Sequence, residues 1–460
     1  MNPSASETLD HRNTETPVSF YWMTVSIILP VRNEAATIRE VLTAILQQDY
    51  ARELIEVVLA DGMSEDGTRE IVRELAETDS RLRMVDNPKQ ITPAGLNLAI
   101  RESRGEVIVR VDGHGVIPPN YVRECVVCLA SAQAEPALRL DRAESDAILA
   151  QGPSPAGARE GGRRPSEGNQ AQSNIHSEGQ GVRAAGEASN PSSPTLTPPP
   201  PSALLAVGGA WDSVGCGLMG EAIAVAMSSK FGVGNSPYRI LETGWTPVPT
   251  DTVPFWAIHR RTFERVGLFR EEFVCHEDYE FNHRLRSAGG RIMLLPWLRA
   301  KYYVRSTLGA LARQYWRYGN WKGRFVRSQG GSLKVRHLIP PLFVAALALC
   351  GLTALFSEAG RIACCILIAA YLCFLSVATV TLFLTHHGDH QSRDSSGQKS
   401  PIGNRQSQIT LPPSALRPLC FTRFALLPVI LATLHLCWGA GVWMGLMRGK
   451  VVGQPPRLDA

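Results

Sequence analysis

The sequence predicts an α/β domain followed by membrane-spanning helices, and three observations carry that reading. Short apolar runs alternate with helical periods between residues 25 and 111, in the βαβαβ order of a parallel sheet with helices on both faces. Polar residues cluster where those strands end, which is where ligands of such sheets bind. Three later runs, 338–356, 362–384 and 424–447, contain no charged residue. Each has about 20 residues, enough to cross roughly 30 Å of hydrocarbon. Buried core helices are the alternative for these runs, but the surrounding sequence supplies no soluble domain large enough to bury them.

Composition bounds the function. The 460 residues carry 47 Lys and Arg against 42 Asp and Glu, a formal charge of +5. Charged residues are 19% and hydrophobic ones 44%, which excludes a chain disordered throughout and argues against a purely polytopic carrier. A charge of +5 over this length does not by itself suggest nucleic-acid binding.

The elements follow in order. Residues 1–21 form a polar tail without the apolar run of a secretory signal. Val25-Ser26-Ile27-Ile28-Leu29 is a strand ending at Pro30, with Asn33 and Glu34 just beyond it. Residues 36–48 are helical, with Ile38, Val41, Leu42 and Ile45 on one face. Strand 56–60 stops at the turn-rich Asp61-Gly62-Met63-Ser64-Glu65-Asp66-Gly67-Thr68. Helix 68–76, strand 82–85 and helix 93–103 follow, then strand 107–111 ending at Asp112-Gly113-His114. Cys125 and Cys128 form a C-x-x-C in a helix-like run with no second pair at zinc spacing, so small buried residues are expected there. Free thiols fit a cytosolic globular part.

Residues 131–203 hold 10 of the 31 prolines and no Phe, Trp, Tyr or Cys, the composition of a disordered insertion. A polar loop at 386–418 has similar character. After the insertion, 204–209 is read as the next strand, so the insertion occupies a surface loop between a helix and a strand. His276-Glu277-Asp278-Tyr279-Glu280 opens an amphipathic helix. Its acids serve either as helix caps or as a general base.

Neither the dinucleotide G-x-G-x-x-G nor the P-loop pattern follows the first strand. Instead a carboxylate ends the second strand, suited to a base or ribose hydroxyl. An Asp and a His two residues apart end a later one. That pair can face a divalent cation bridging a diphosphate, or be a solvated turn.

Val25 through Glu34, the Asp61–Thr68 loop and Gly95-Leu96-Asn97 together resemble glycosyltransferase family 2, nearest the bacterial succinoglycan-type exopolysaccharide transferases. The resemblance covers about residues 22–130 and 204–330. It implies a GT-A nucleotide-diphospho-sugar transferase fold and inverting transfer from a nucleotide-sugar, usually a UDP-sugar. By the family pattern Pro30 and Glu34 line the nucleotide site and Asp61 contacts the uracil. Asp112 leads the metal motif, with His114 where many members have a second Asp, and the cation is magnesium or manganese. Asp278 aligns with the catalytic base and Glu280 supports it. Arg270 departs from the family's Gly-x-Phe-Asp-Glu pattern, in a way not expected to affect the chemistry.

Residues 301–337 form a basic collar with nine Lys and Arg and no acid, so the remainder of the chain is net acidic. Leu308, Leu311, Tyr315, Tyr318 and Phe325 share one helical face, as expected of an interfacial helix beside a span. Nucleic acid is the rival for basic residues with aromatics, and fusion to a membrane segment argues against it. Gln314-Tyr315-Trp316-Arg317-Tyr318 partly resembles the family's acceptor and diphosphate element, in which Arg317 would pair a phosphate bidentately.

The expected organisation is a tail (1–21), a nucleotide-sugar half (22–130), the insertion (131–203), an acceptor half (204–300), the collar (301–337), three spans (338–447) and a tail (448–460). The expected partners are a UDP-sugar, a lipid-linked saccharide acceptor, the membrane and other polysaccharide-assembly proteins. The expected location is the cytoplasmic membrane, multi-pass, with the catalytic part on the cytoplasmic side. A non-catalytic sugar-nucleotide-binding component and a processive synthase remain the alternatives.

Overall fold

A computed structural model describes residues 23–132, 205–240, 244–329, 335–396 and 422–449. The N-terminal tail, the insertion from 133 to 203, the polar loop beyond 396 and the chain from 450 onward lie outside the described residues.

Four parallel strands build the first half: β1 (Val25–Val31), β2 (Ile55–Asp61), β3 (Leu82–Asp86) and β4 (Val107–Arg110). β1 is paired on both edges, by β2 and β4, and residues on both its faces are buried, so its sequence is almost wholly apolar. In α1 (Ile38–Leu46) the buried residues are the four that the period selects. α2 (Thr68–Thr78) and α3 (Thr92–Glu102) complete the crossovers, and a further helix, α4, spans 121–132. Cys125 is fully buried on α4, and burial pushes its thiol pKa well up.

After the insertion the sheet becomes mixed. β6 (Leu205–Val214) runs antiparallel to β8 (Ala257–His259), which itself runs antiparallel to β4. β9 (Arg291–Tyr303) lies parallel to β6, and β5 (Gly115–Val116) pairs with its end. The order is β3-β2-β1-β4-β8-β6-β9-β5, with β7 (Val248–Pro249) beside β9. The parallel expectation thus holds for four strands and gives way to a mixed sheet beyond β4. This arrangement sets the ends of β1, β2 and β4 opposite the second half of the chain.

Two boundaries move. β9 continues through Tyr303 because β6 and β5 both pair with its last residues, so Lys301, Tyr302 and Tyr303 belong to the sheet rather than to the collar. The second is in the predicted polar loop, whose first residues are helical, since α12 (Glu358–Ser396) runs on past the apolar segment.

α10 (Leu308–Gln329) is the helix of the collar. Leu311, Tyr315 and Phe325 are buried on the predicted face, and Arg313 and Arg317 are exposed. α11 (Val335–Ala354), α12 and α13 (Leu427–Met447) include the three helices long and apolar enough to cross a membrane. Pro340 and Pro341 lie inside a continuous α11. α10 packs along α13 through glycines at which any side chain would collide. A Cβ on Gly319 would fall 2.2 Å from Trp438 O, and one on Gly445 would fall 2.0 Å from Asn320 O.

Candidate active site

A cavity of about 1000 Å³ opens at the ends of β1 and β4 and reaches the apolar C-terminal helices. Pro30, Arg32, Gly62, Asn87 and Thr92 line it from the first half of the chain, with Asp112, His114, Glu277 and Asp278. Ile339, Phe343, Phe374 and Leu434 line it from α11, α12 and α13.

Local backbone explains how the wall from the first half is built. Asn33 takes a left-handed φ of 55°, its side chain accepts the Glu65 N–H at 3.0 Å, and its own N–H donates to Ser64 Oγ at 2.9 Å. Asn33 therefore ties the 61–68 loop to β1 and does not line the cavity, which corrects the expectation of direct ligand contact. Asp61 is fully buried, and its Oδ2 accepts from Arg69 Nη1 at 2.5 Å and from the Ser64 N–H at 3.0 Å. Its Oδ1 has no hydrogen-bond partner. That orphaned acceptor beside Gly62 suits a donor on a nucleotide base, although Asp61 stands behind the cavity wall. Gly95 allows close approach, since a Cβ there would meet Asn87 Nδ2 at 3.0 Å. Asn97 is buried and both donates to Phe269 O at 2.9 Å and accepts the Phe269 N–H at 2.8 Å. This clamp fixes the loop that leads to α9 (Glu277–Ser287).

β4 ends at Arg110, a buried guanidinium. Its Nε lies 2.9 Å from Asp112 Oδ1 and its Nη2 3.0 Å from Glu277 Oε1. Burial opposes its charge, but the two carboxylates outweigh burial and hold its pKa above the usual value. Burial pushes the Glu277 carboxyl up, against the pull of Arg110 and with a push from Asp278. The charge on β4 thus joins the strand-end aspartate to the start of α9, where the chain enters through His276 at φ 69°. Asp278 borders the cavity and accepts the Tyr279 N–H at 2.7 Å.

Glu280 is not part of this group. It is 1% exposed and does not line the cavity. It pairs with Arg284 at 2.8 Å and Arg270 at 3.3 Å. Its expected support of Asp278 is corrected accordingly. Arg270, the departure from the family pattern, supplies one of the cations that make Glu280's burial tolerable.

His114 Nδ1 lies 3.0 Å from Glu34 Oε1, and its ring meets Tyr302 edge-on at 5.3 Å. Burial disfavours the charged ring, but Glu34, with Asp112 adding, raises its pKa overall. Among the described residues no three His, Cys, Asp or Glu side chains form a metal cage. Asp112 and His114 fit a cation that completes its shell with phosphate oxygens and water. The hydrogen bond to Glu34 occupies Nδ1 and leaves Nε2 as the ligating nitrogen, and a bound cation would displace a proton from it.

Gln314 and Arg317 both line the cavity, and Gln314 Nε2 donates to Tyr318 Oη at 2.9 Å. Sequence reasoning missed Arg110, Arg239 and Lys322. Arg239 lies 4.6 Å above the Trp211 ring, and Trp211 stacks on Tyr302 at 3.9 Å. An Arg in an otherwise apolar strand was the available signal for Arg110, because a buried cation needs carboxylate partners.

Residues 26–131 match the family described as glycosyl transferase family 2. Over 92% of its length the chain is 26% identical to the succinoglycan biosynthesis protein ExoA of Rhizobium meliloti (strain 1021), spanning 94% of that protein. It is 21% identical, over 69% of its length and 77% of the relative's, to a dolichyl N-acetyl-alpha-D-glucosaminyl phosphate 3-beta-D-2,3-diacetamido-2,3-dideoxy-beta-D-glucuronosyltransferase of Methanococcus voltae. Among solved structures it is similar to the mannosyltransferase PcManGT of Pyrobaculum calidifontis in complex with GDP-Man and Mn2+. That likeness has 18% identity and a TM-score of 0.44, covering 92% of this chain and 88% of that one. With a family 2 domain over residues 26–131 and a set of carboxylates converging on a cleft at the strand ends, the chain is a glycosyltransferase.

Proposed function

We propose that the chain is an inverting transferase that moves a sugar from a UDP-sugar to a lipid-linked saccharide during cell-surface polysaccharide assembly. In this reading it sits in the cytoplasmic membrane with the sheet on the cytoplasmic side. The observation that carries the proposal is the single cavity running from the strand ends to the apolar helices. A soluble acceptor needs no such apolar extension, whereas an acceptor on a lipid does. The name of the Methanococcus relative, which carries a dolichyl phosphate, supports the same class of acceptor, and that of the Rhizobium relative supports a polysaccharide product.

The residues divide the work. Pro30, Gly62 and Asn87 surround the nucleoside, with Asp61 behind them. Asp112 and His114 Nε2 would hold a divalent cation, which would supply charge neutralisation to the leaving diphosphate. Glu34 keeps the His114 ring oriented. Arg110 holds Asp112 and Glu277 at a fixed separation. Asp278 takes the proton from the acceptor hydroxyl as that oxygen bonds to the anomeric carbon. The carbon–oxygen bond to the diphosphate breaks with its electron pair, and the configuration inverts.

The test is a transfer assay on membranes with a panel of UDP-sugars and a lipid-linked saccharide extract. Asp278→Asn is expected to lower turnover by about 10²–10⁴-fold while UDP binding stays unchanged. Undiminished transfer in that variant overturns the assignment of the base.

A further inference from the structure

Lys322 is the most completely buried cation in the cavity wall. It is 1% exposed, lines the cavity, and its Nζ has no hydrogen-bond partner. Its ammonium rests 3.4 Å above the centre of the Tyr279 ring. A lysine buried this way sacrifices hydration that a ring face only partly replaces.

Its surroundings are also cationic. Arg336, at the start of the first membrane-crossing helix, lines the same cavity and is paired with Asp251 at 3.0 Å. Arg317, five residues earlier on α10, lines it too. Burial, with Arg336 and Arg286 adding and Asp251 and Asp278 opposing, lowers the Lys322 pKa to about 7. Burial, then Lys322, His337 and Arg317, lowers His276 to about 3. These shifts indicate cations gathered with too little counter-charge.

The company the cluster keeps gives it its meaning. Asp278 lines the same cavity, Trp438 of α13 approaches the rings of His276 and His337 at 6.3 Å each, and the apolar residues Phe343 and Leu434 line it too. One cavity thus brings together carboxylates, cations and hydrocarbon. That set matches a molecule with a sugar, a phosphate group and an apolar chain.

We propose that Lys322, Arg336 and Arg317 form a second anion subsite, separate from the Asp112–His114 centre, that takes the phosphate or diphosphate headgroup of the lipid carrying the acceptor sugar. This rests on the lipid-linked reading given above and assigns the residues that recognise the lipid. Lys322 gives a direct charge-assisted hydrogen bond, Arg336 shares its guanidinium between Asp251 and the ligand, and Arg317 closes the exposed side.

The probes are farnesyl diphosphate, farnesol, inorganic pyrophosphate and UDP, titrated by calorimetry into the full chain in detergent. Wild type is expected to bind farnesyl diphosphate but not farnesol. Lys322→Met is expected to weaken that binding about 10–100-fold, the loss of one charge-assisted contact, with UDP affinity unchanged. Lys322→Arg is expected to restore most of the affinity. Arg317→Gln, at an exposed position, is expected to weaken it less, and provides the test should Lys322→Met melt below the assay temperature.

Four outcomes overturn the proposal. Equal farnesyl diphosphate binding in wild type and a folded Lys322→Met makes the lysine a packing cation over Tyr279. A fall in UDP affinity in Lys322→Met assigns the cluster to the donor. Pyrophosphate binding as tight as farnesyl diphosphate makes the site one for a free phosphate. No farnesyl diphosphate binding by wild type removes the lipid-linked reading itself. Binding is read without turnover, so the Asp278 test fails or succeeds independently.

Discussion

Replacing Arg110 by Met removes the cation between two carboxylates and keeps much of the side-chain volume. Arg110 sits 2.9 Å from Asp112 and 3.0 Å from Glu277, and the Arg110 and Glu277 side chains are only 9% and 10% exposed. Removing one partner of a buried ion pair costs about 3–5 kcal/mol, because the other charge is left uncompensated. Glu277 can escape part of that cost by taking a proton. Its folded pKa lies above the unfolded carboxylate value. The protonated form is therefore the one the fold tolerates, and losing Arg110 raises that pKa further. The stability deficit of the variant is thus smallest below the unfolded pKa and grows as pH rises through the folded one. At pH 5 the deficit is about 1–2 kcal/mol, the cost of the lost hydrogen bonds. At pH 8, one unit above the folded Glu277 pKa of about 7, proton linkage adds at most about 1.4 kcal/mol. A deficit of about 3 kcal/mol lowers the melting temperature by roughly 8 °C for a domain of this size. Arg110→Met combined with Glu277→Gln should regain about half of the loss at pH 8. Intrinsic-fluorescence melts of the purified full chain at the two pH values measure this. A deficit equal at both, or a double variant no more stable than the single one, refutes the reasoning.

Other sites give sharp expectations. Asn97→Ala leaves the Phe269 N–H and carbonyl unpaired and should cost about 2–4 kcal/mol in a denaturant melt, the penalty for two buried orphaned groups. His259 on β8 is buried, and burial with Arg261 holds its pKa at about 4. The neutral ring is therefore favoured in the fold, and its stabilisation is present above the unfolded pKa near 6.5 and lost as pH falls through 4. The contribution is about 3 kcal/mol, and melts of His259→Asn should show a correspondingly flatter dependence between those pH values. Glu34→Gln should weaken manganese binding in the presence of UDP by about 10–100-fold, read by calorimetry. His114→Asp should retain that binding.

Legibility in the sequence followed burial. β1, β2 and β4 are covered on both faces, so their apolar runs are continuous and were readable. Asp112 and Asp278 were readable because each marks the end of a strand or the start of a helix. Glu280 was misread, since on a helix a residue two positions beyond Asp278 turns roughly 200° away from it. Its i,i+4 partner Arg284 was the overlooked sign. β8 was hard to orient because three buried residues give no direction of pairing. Lys322 was counted with the exposed collar cations, and only the packing of α10 on α13 places it inside.

The glycine seam between α10 and α13 has a mechanical consequence. The backbones lie too close for sliding or hinging to be cheap, and α10 carries Gln314, Arg317 and Lys322 of the cavity. The cavity floor is therefore welded to the apolar helix α13 and cannot shift along it. If α13 spans a bilayer, as proposed above, the site stands at a constant height above it. An acceptor on a lipid would then have to find its own reach, and the depth of the site would act as a ruler for the distance between its reactive hydroxyl and the lipid.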